Sequence, residues 1–149
     1  MDLDRDFRAP SGSERVFNRF FGFLVGLGLG FSSNYLLQVK GRKSGKLQST
    51  PINLLELGGQ QYLVAPRGRT QWVRNAEVSQ EVTLKKGRHR ARYRLRAIEG
   101  EEKLKVLKAY LDQFRREVER YFPLAAGSSP QAFSTVVDKY PAFQLIRLS

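Results

Sequence analysis

From Tyr35 onward, short runs in which apolar and polar residues alternate are separated by glycine-containing turns, the pattern of strands in a half-buried sheet. Tyr35 to Lys40 (YLLQVK) predicts a first strand and Gln48 to Leu57 (QSTPINLLEL) its partner. A tight Gly58–Gly59 turn then leads into a third strand, Gln60 to Ala65 (QQYLVA). Glu81 to Lys86 (EVTLKK) and Ala91 to Ile98 (ARYRLRAI) predict two more around the turn GRHR, and Ala142 to Leu148 a closing one. In ARYRLRAI, Ala91, Tyr93, Leu95 and Ala97 face one way and Arg92, Arg94 and Arg96 the other, so an arginine face meets solvent.

Helical spacing interrupts this pattern. Leu104, Leu107, Leu111, Phe114 and Val118 recur every three or four residues and predict a helix from Gly100 to Phe122, stopped by Pro123. Glu101 and Glu102 stand in its first turn, where the helix dipole favours them. TQWVRNAEVS predicts a short helix with Thr70 as its cap, and QAFSTVVDKY another. Near the start, Phe17, Phe20, Phe21, Leu24 and Leu27 form a stripe expected of a helix packed on the body. The uncharged run Phe20 to Phe31 falls short of the roughly 20 residues that span a bilayer. A membrane-surface contact through residues 16–31 is the alternative use of this stretch. The whole predicts one α+β domain over residues 1–149, with residues 1–34 an N-terminal tail and helix. Its body is a small barrel or curled sheet of about six mostly antiparallel strands with flanking helices.

Composition narrows the chemistry. Cysteine is absent, which excludes disulfides, thiolate metal sites and a cysteine nucleophile, and fits a reducing, cytoplasmic compartment. The single histidine, His89, lies among cations in KKGRHRARYR and reads as a solvated turn residue; no metal site is expected. The net charge of +12 is regional: from Lys40 to Arg96, 14 Lys/Arg face three acids, Glu56, Glu77 and Glu81. Such a field draws anions, whether a phosphate-bearing small molecule, a nucleic acid or an anionic membrane. Nucleic acid is disfavoured, because Tyr93 lies on the face opposite the arginines.

Two basic turns stand out. In QVKGRKSGKLQSTP, Gly41 and Gly45 let the backbone approach a ligand, Arg42 can grip a phosphate with two hydrogen bonds, and Lys43 and Ser44 add a charge and a hydroxyl. A solubilising hairpin loop is the plain alternative, and the spacing GxxxxGK[ST] of a P-loop is absent. In YLVAPRGRTQWVRN, Arg67, Gly68 and Arg69 precede Trp72 and Asn75, a set that suits a planar, phosphorylated cofactor. Trp72 is equally well read as a core anchor.

Taken in order, LLQVKGRKSGKLQSTPINL, GGQQYLVAPRG, WVRNAEVSQEVTLKKG and the closing YPAFQLIRL resemble the deazaflavin-dependent nitroreductase family of flavin/deazaflavin oxidoreductases, over roughly Asn18 to Leu148. The resemblance implies a split β-barrel. It implies an 8-hydroxy-5-deazaflavin coenzyme with a polyanionic phospholactyl-oligoglutamate tail, FMN being the alternative cofactor. Arg42, Lys43, Ser44 and Gly45 would meet the phosphate and tail. Thr50 and Pro51 would border the ring, Ala65, Pro66, Arg67 and Gly68 would line the coenzyme with backbone amides, and Trp72 and Asn75 would close that side. The reaction implied is hydride transfer to an electron-poor acceptor, a quinone, nitroaromatic or enone. For the accompanying proton the nearest candidates are Tyr140 and Tyr121, each also readable as packing residues. Related split barrels commonly form homodimers. The competing reading is a non-catalytic barrel that binds a lipid, flavin or haem, in association with a membrane.

Overall fold

A computed structural model describes residues 34–148. The expected N-terminal helix and the membrane contact through residues 16–31 lie outside the described residues. Seven strands follow in chain order: β1 (Asn34–Lys40), β2 (Leu47–Asn53), β3 (Leu55–Leu57), β4 (Gln60–Val64), β5 (Glu81–Lys86), β6 (His89–Ala97) and β7 (Ala142–Arg147). They form one sheet in the order β2-β1-β5-β6-β7-β4-β3, and every pairing is antiparallel. Among the described residues three α-helices join them: α1 (Gln71–Ser79), α2 (Gly100–Gln113) and the four-residue α3 (Arg115–Val118).

The topology itself demands a curled sheet. The predicted strand Gln48 to Leu57 is two strands, and only Leu54 separates β2 on one edge from β3 on the other. A flat sheet of this width would hold its edges almost 30 Å apart at about 4.8 Å per strand. Two peptide steps reach only about 7 Å. The sheet must therefore roll until its edges approach, which makes an open barrel.

Alternation along β4 divides the apolar residues between two faces. Leu63 joins Leu37, Val39, Leu84, Tyr93, Phe143 and Leu145 in a core closed by Trp72, Val73 and Ala76 of α1. Tyr62 and Val64 point the other way, into a second core with Leu55, Val106, Leu107, Tyr110 and Leu111 of α2, and Phe114, Phe122 and Phe133. On β6, Tyr93 is buried while Arg90, Arg92, Arg94 and Arg96 are exposed, as the alternation predicts.

Several boundaries differ from the expectation. The turn before β6 is only Gly87 and Arg88, with Gly87 at φ 60°, so His89 begins the strand and pairs with Lys86 instead of sitting in the turn. The predicted helix over Gly100 to Phe122 ends at Gln113 and continues as α3 and a 3-10 turn, Glu119–Tyr121. Phe114, Val118 and Phe122 all remain buried in the second core through this bend, so the apolar spacing does not register it. Pro130–Thr135 and Val137–Lys139 are 3-10 turns instead of one short helix. Thr70 occupies the cap position of α1 without a side-chain cap bond; its carbonyl accepts the Arg74 N–H. Among the described residues no helix is long and apolar enough to cross a membrane.

Candidate functional site

The basic turn between β1 and β2 is closed by its own backbone. The Gly41 N–H donates to the Lys46 carbonyl (2.7 Å) and the Gly45 N–H to the Gly41 carbonyl (2.9 Å), with Gly45 at φ 74°. A Cβ on Gly41 would lie 2.9 Å from Ser44 Oγ and 3.1 Å from the Lys46 carbonyl, so a side chain there would have to displace the tight turn by a few tenths of an ångström. The Lys46 N–H donates to Ser44 Oγ (3.1 Å). Lys43, Ser44, Gly45 and Lys46 are exposed.

Arg42 is engaged differently. Its backbone N–H donates to Asn75 Oδ1 (3.0 Å), and its guanidinium Nη1 donates to Asn75 Oδ1 (2.8 Å) and Gln71 Oε1 (2.9 Å). Asn75 is 1% exposed, and its Nδ2 donates to Gln48 Oε1 (3.0 Å). All acceptors of the Arg42 guanidinium are neutral amides, and among the described residues it forms no ion pair. A fixed guanidinium without a counterion keeps its full field for an incoming anion.

The second basic turn connects β4 to α1. The Ala65 N–H donates to the Pro141 carbonyl (2.8 Å), and the Gly68 N–H to the Ala65 carbonyl (3.1 Å), with Gly68 at φ 85°. Two of the amides expected to face a cofactor are therefore taken up within the protein. Arg69 pairs with Glu77 across α1 (2.6 Å).

Beside this turn lies a cavity of about 260 Å³. Thr50, Pro51, Ile52 and Asn53 of β2 form one wall, Val64, Ala65, Pro66, Arg67, Thr70 and Trp72 another, and Tyr110, Glu117, Val118 and Tyr121 the third. The Trp72 ring meets Phe143 edge to face at 6.1 Å, which fixes its plane. Tyr110 is 2% exposed; burial pushes its pKa well above the ordinary 10.0, while a hydrogen bond with the Asn53 side chain opposes the shift. The phenol stays protonated at any physiological pH.

Of the residues singled out in the sequence, Thr50, Pro51, Ala65, Pro66, Arg67, Trp72 and Tyr121 meet at the cavity. Arg42, Lys43, Ser44, Gly45, Gly68, Asn75 and Tyr140 do not line it. Asn75 nevertheless connects the two parts, being one helical turn, about 4.5 Å of rise, beyond Trp72 on α1. Tyr140 is 5% exposed, stacks on Phe122 at 4.2 Å, and donates its hydroxyl to the Tyr121 carbonyl. The lining residues missed in the sequence were chiefly Tyr110, Asn53 and Glu117. Tyr110 and Glu117 lie on helices whose apolar spacing predicted only packing. Among the described residues no grouping of three His, Cys, Asp or Glu could hold a metal ion.

Residues 14–137 match the model of a family described as F420H(2)-dependent quinone reductase. No curated protein matches the chain. Among solved structures, an F420-H2 dependent reductase, FDR-A, shares 21% identity over 76% of this chain and 94% of its own, with a TM-score of 0.52. A structure described as a domain-swapped dimer shares 20% identity over 91% of this chain and 94% of its own, with a TM-score of 0.54. A conserved hypothetical protein of Mycobacterium tuberculosis shares 13% identity over 88% and 80%, with a TM-score of 0.59. The curled seven-stranded sheet is thus a split barrel, as the motif order implied.

Proposed function

This chain belongs to the F420H(2)-dependent quinone reductase family, and from that premise we propose that it passes a hydride from the reduced deazaflavin to a quinone-type acceptor. The observation that carries the reading is a cavity walled in part by Pro51, Ala65 and Trp72, with the uncompensated Arg42 guanidinium held by Asn75, which lies about one helical turn beyond Trp72 on α1. Pro51, Ala65 and Trp72 offer flat apolar surface to a planar ring. At about 260 Å³ the cavity is close to the lower limit for small-molecule sites, so it fits a ring system and leaves the anionic tail outside. The tail then runs toward Arg42, Lys43 and the surrounding turn, where the regional positive charge lies.

When bound, the reduced deazaflavin supplies the hydride; the chain supplies position, a dry wall and charge. A quinone that takes up a hydride also needs one proton on oxygen to become the hydroquinone. Tyr121, half-buried on the cavity wall, is the donor in this reading. Tyr110 stays neutral and orients the acceptor oxygen by a hydrogen bond, and Tyr140 braces Tyr121 through its carbonyl.

Fluorescence titration of the full-length protein with the oxidised deazaflavin coenzyme, and separately with FMN, tests this reading. Saturable deazaflavin binding is expected, weakened about tenfold by Lys43→Ala through loss of one charge-assisted contact. Reduction of a soluble quinone by the reduced coenzyme should follow. Binding without reduction of any acceptor would instead support a non-catalytic barrel, and binding of FMN alone would change the cofactor. Binding of neither ligand sinks the assignment.

A further inference from the structure

The outer face of the sheet around β6 plays no part in the cavity. Arg90, Arg92, Arg94 and Arg96 project from it at every second residue, and all four are exposed. The strand register sets Lys85 beside Arg90, Glu81 and Ile146 on either side of Arg94, and Gln144 beside Arg96, so these side chains share one face, with the Glu81 carboxylate engaged by Arg92. From Arg90 to Arg96 the row runs for about 20 Å at 3.3 Å per residue. Ile146 of β7, 40% exposed, flanks the row beside Arg94.

Acidic residues balance only part of this row. Arg92 pairs with Glu81 (3.0 Å) and Arg96 with Glu102 (2.6 Å), and all four side chains in these pairs are more than a third exposed. Exposed pairs of this kind are weak and open readily. Among the described residues Arg90 and Arg94 form no ion pair. Tyr93 turns inward, so the row offers no aromatic ring on which a base could stack. The strip combines guanidinium groups, suited to phosphates, with an exposed aliphatic side chain suited to the edge of an acyl layer.

We propose that the face formed by β5, β6 and β7 docks this protein on an anionic phospholipid bilayer. Guanidinium groups close to such a surface each multiply partitioning about fivefold. Arg90, Arg94 and Lys85 act directly, and Arg92 and Arg96 join when their pairs open. The inference stands apart from the reductase reading, because docking is measured without turnover.

Sedimentation of the full-length protein with vesicles of phosphatidylcholine alone, and of phosphatidylcholine with phosphatidylglycerol, tests it at low and physiological salt. The protein should pellet only with the phosphatidylglycerol vesicles, less so as salt rises. Arg90→Glu/Arg94→Glu should weaken this at least tenfold while the coenzyme titration stays unchanged, with only a small fall in melting temperature because Arg94 faces Glu81 across the strands. Arg90→Gln/Arg94→Gln repeats the measurement without adding acids, in case the reversed pair fails to fold. Lys43→Glu/Lys46→Glu, an equal change of charge on the β1–β2 turn, should weaken it far less. Failure to pellet, retention by both Arg90/Arg94 variants, or equal loss from the turn variant overturns the proposal. So does displacement of the vesicles by single-stranded RNA bound through the same arginines.

Discussion

Arg42 is a cation held by amides. Asn75 Oδ1 accepts both its backbone N–H and its guanidinium, and Gln71 Oε1 takes a second guanidinium contact. A carboxylate at either position would bind the guanidinium more strongly, and would also cancel the charge proposed to attract a phosphate. Asn75→Asp separates these effects at nearly constant shape. The fold should persist, since the aspartate keeps both contacts to Arg42 and the Gln48 amide can turn its NH₂ toward it. Deazaflavin affinity should fall tenfold or more, about 1.4 kcal/mol, and its salt dependence should flatten as one counter-charge is lost. Unchanged affinity in a titration would show that Arg42 serves only to pin the β1–β2 turn to α1. The motif GRKSG suggests Arg42 as a grip for an anion, the role proposed for it here, but its use of Nη1 on residues 29 and 33 positions away is a tertiary fact. Local spacing contains no signal for it.

At the scale of elements, alternation was sufficient wherever one strand kept one set of neighbours. β5 and the two-faced β6 were legible because each buries one side against a single core. The stretch from Gln48 to Leu57 was not, because the polar/apolar pattern runs on through Leu54 while the backbone moves from one sheet edge to the other. Hydrogen-bond partners decide that break, and side-chain type does not report them. The same limit applies to α2. Its spacing placed Leu104 and Leu107 together in the core, yet Leu107 is 0% exposed and Leu104 only half-buried at the margin of the cluster. Leu107→Ala should lower unfolding free energy by about 3 kcal/mol through lost burial and a residual cavity. Leu104→Ala should cost well under half as much. Urea midpoints for the two variants measure this directly, and equal losses would mean that α2 presents both leucines to the sheet alike. Of the candidate site, the β2 and β4–α1 walls were legible in glycine, proline and tryptophan. The third wall was not, since Tyr110 and Glu117 sit within an ordinary amphipathic pattern.

Across the whole molecule, the cavity lies at the seam between the two cores. Trp72 belongs to the core enclosed by the curled sheet, and Val64, Tyr110 and Val118 to the one beneath α2. Its shape therefore depends on both, and Tyr110 couples it to alkaline stability. Burial raises the pKa values of Tyr35, Tyr62, Tyr110 and Tyr140 above the ordinary 10.0, by far the most for Tyr110. Below pH 10 the phenols are protonated in both folded and unfolded chains, and their contribution is fully present. Above it the unfolded chain releases protons that the fold retains, so stability falls as pH rises. Lys86 and Lys103, whose pKa values burial lowers, act in the opposite sense as pH climbs toward 10.5, but their shifts are smaller than that of Tyr110. Urea midpoints should hold level near neutrality and drop beyond pH 10. Tyr110→Phe should lose about 1 kcal/mol at pH 7 with the Asn53 hydrogen bond, and decline less steeply above pH 10. A variant as steep as the parent would show that ionisation elsewhere opens the fold. A shallower one would place the alkaline failure of the whole molecule at the wall of its proposed active site.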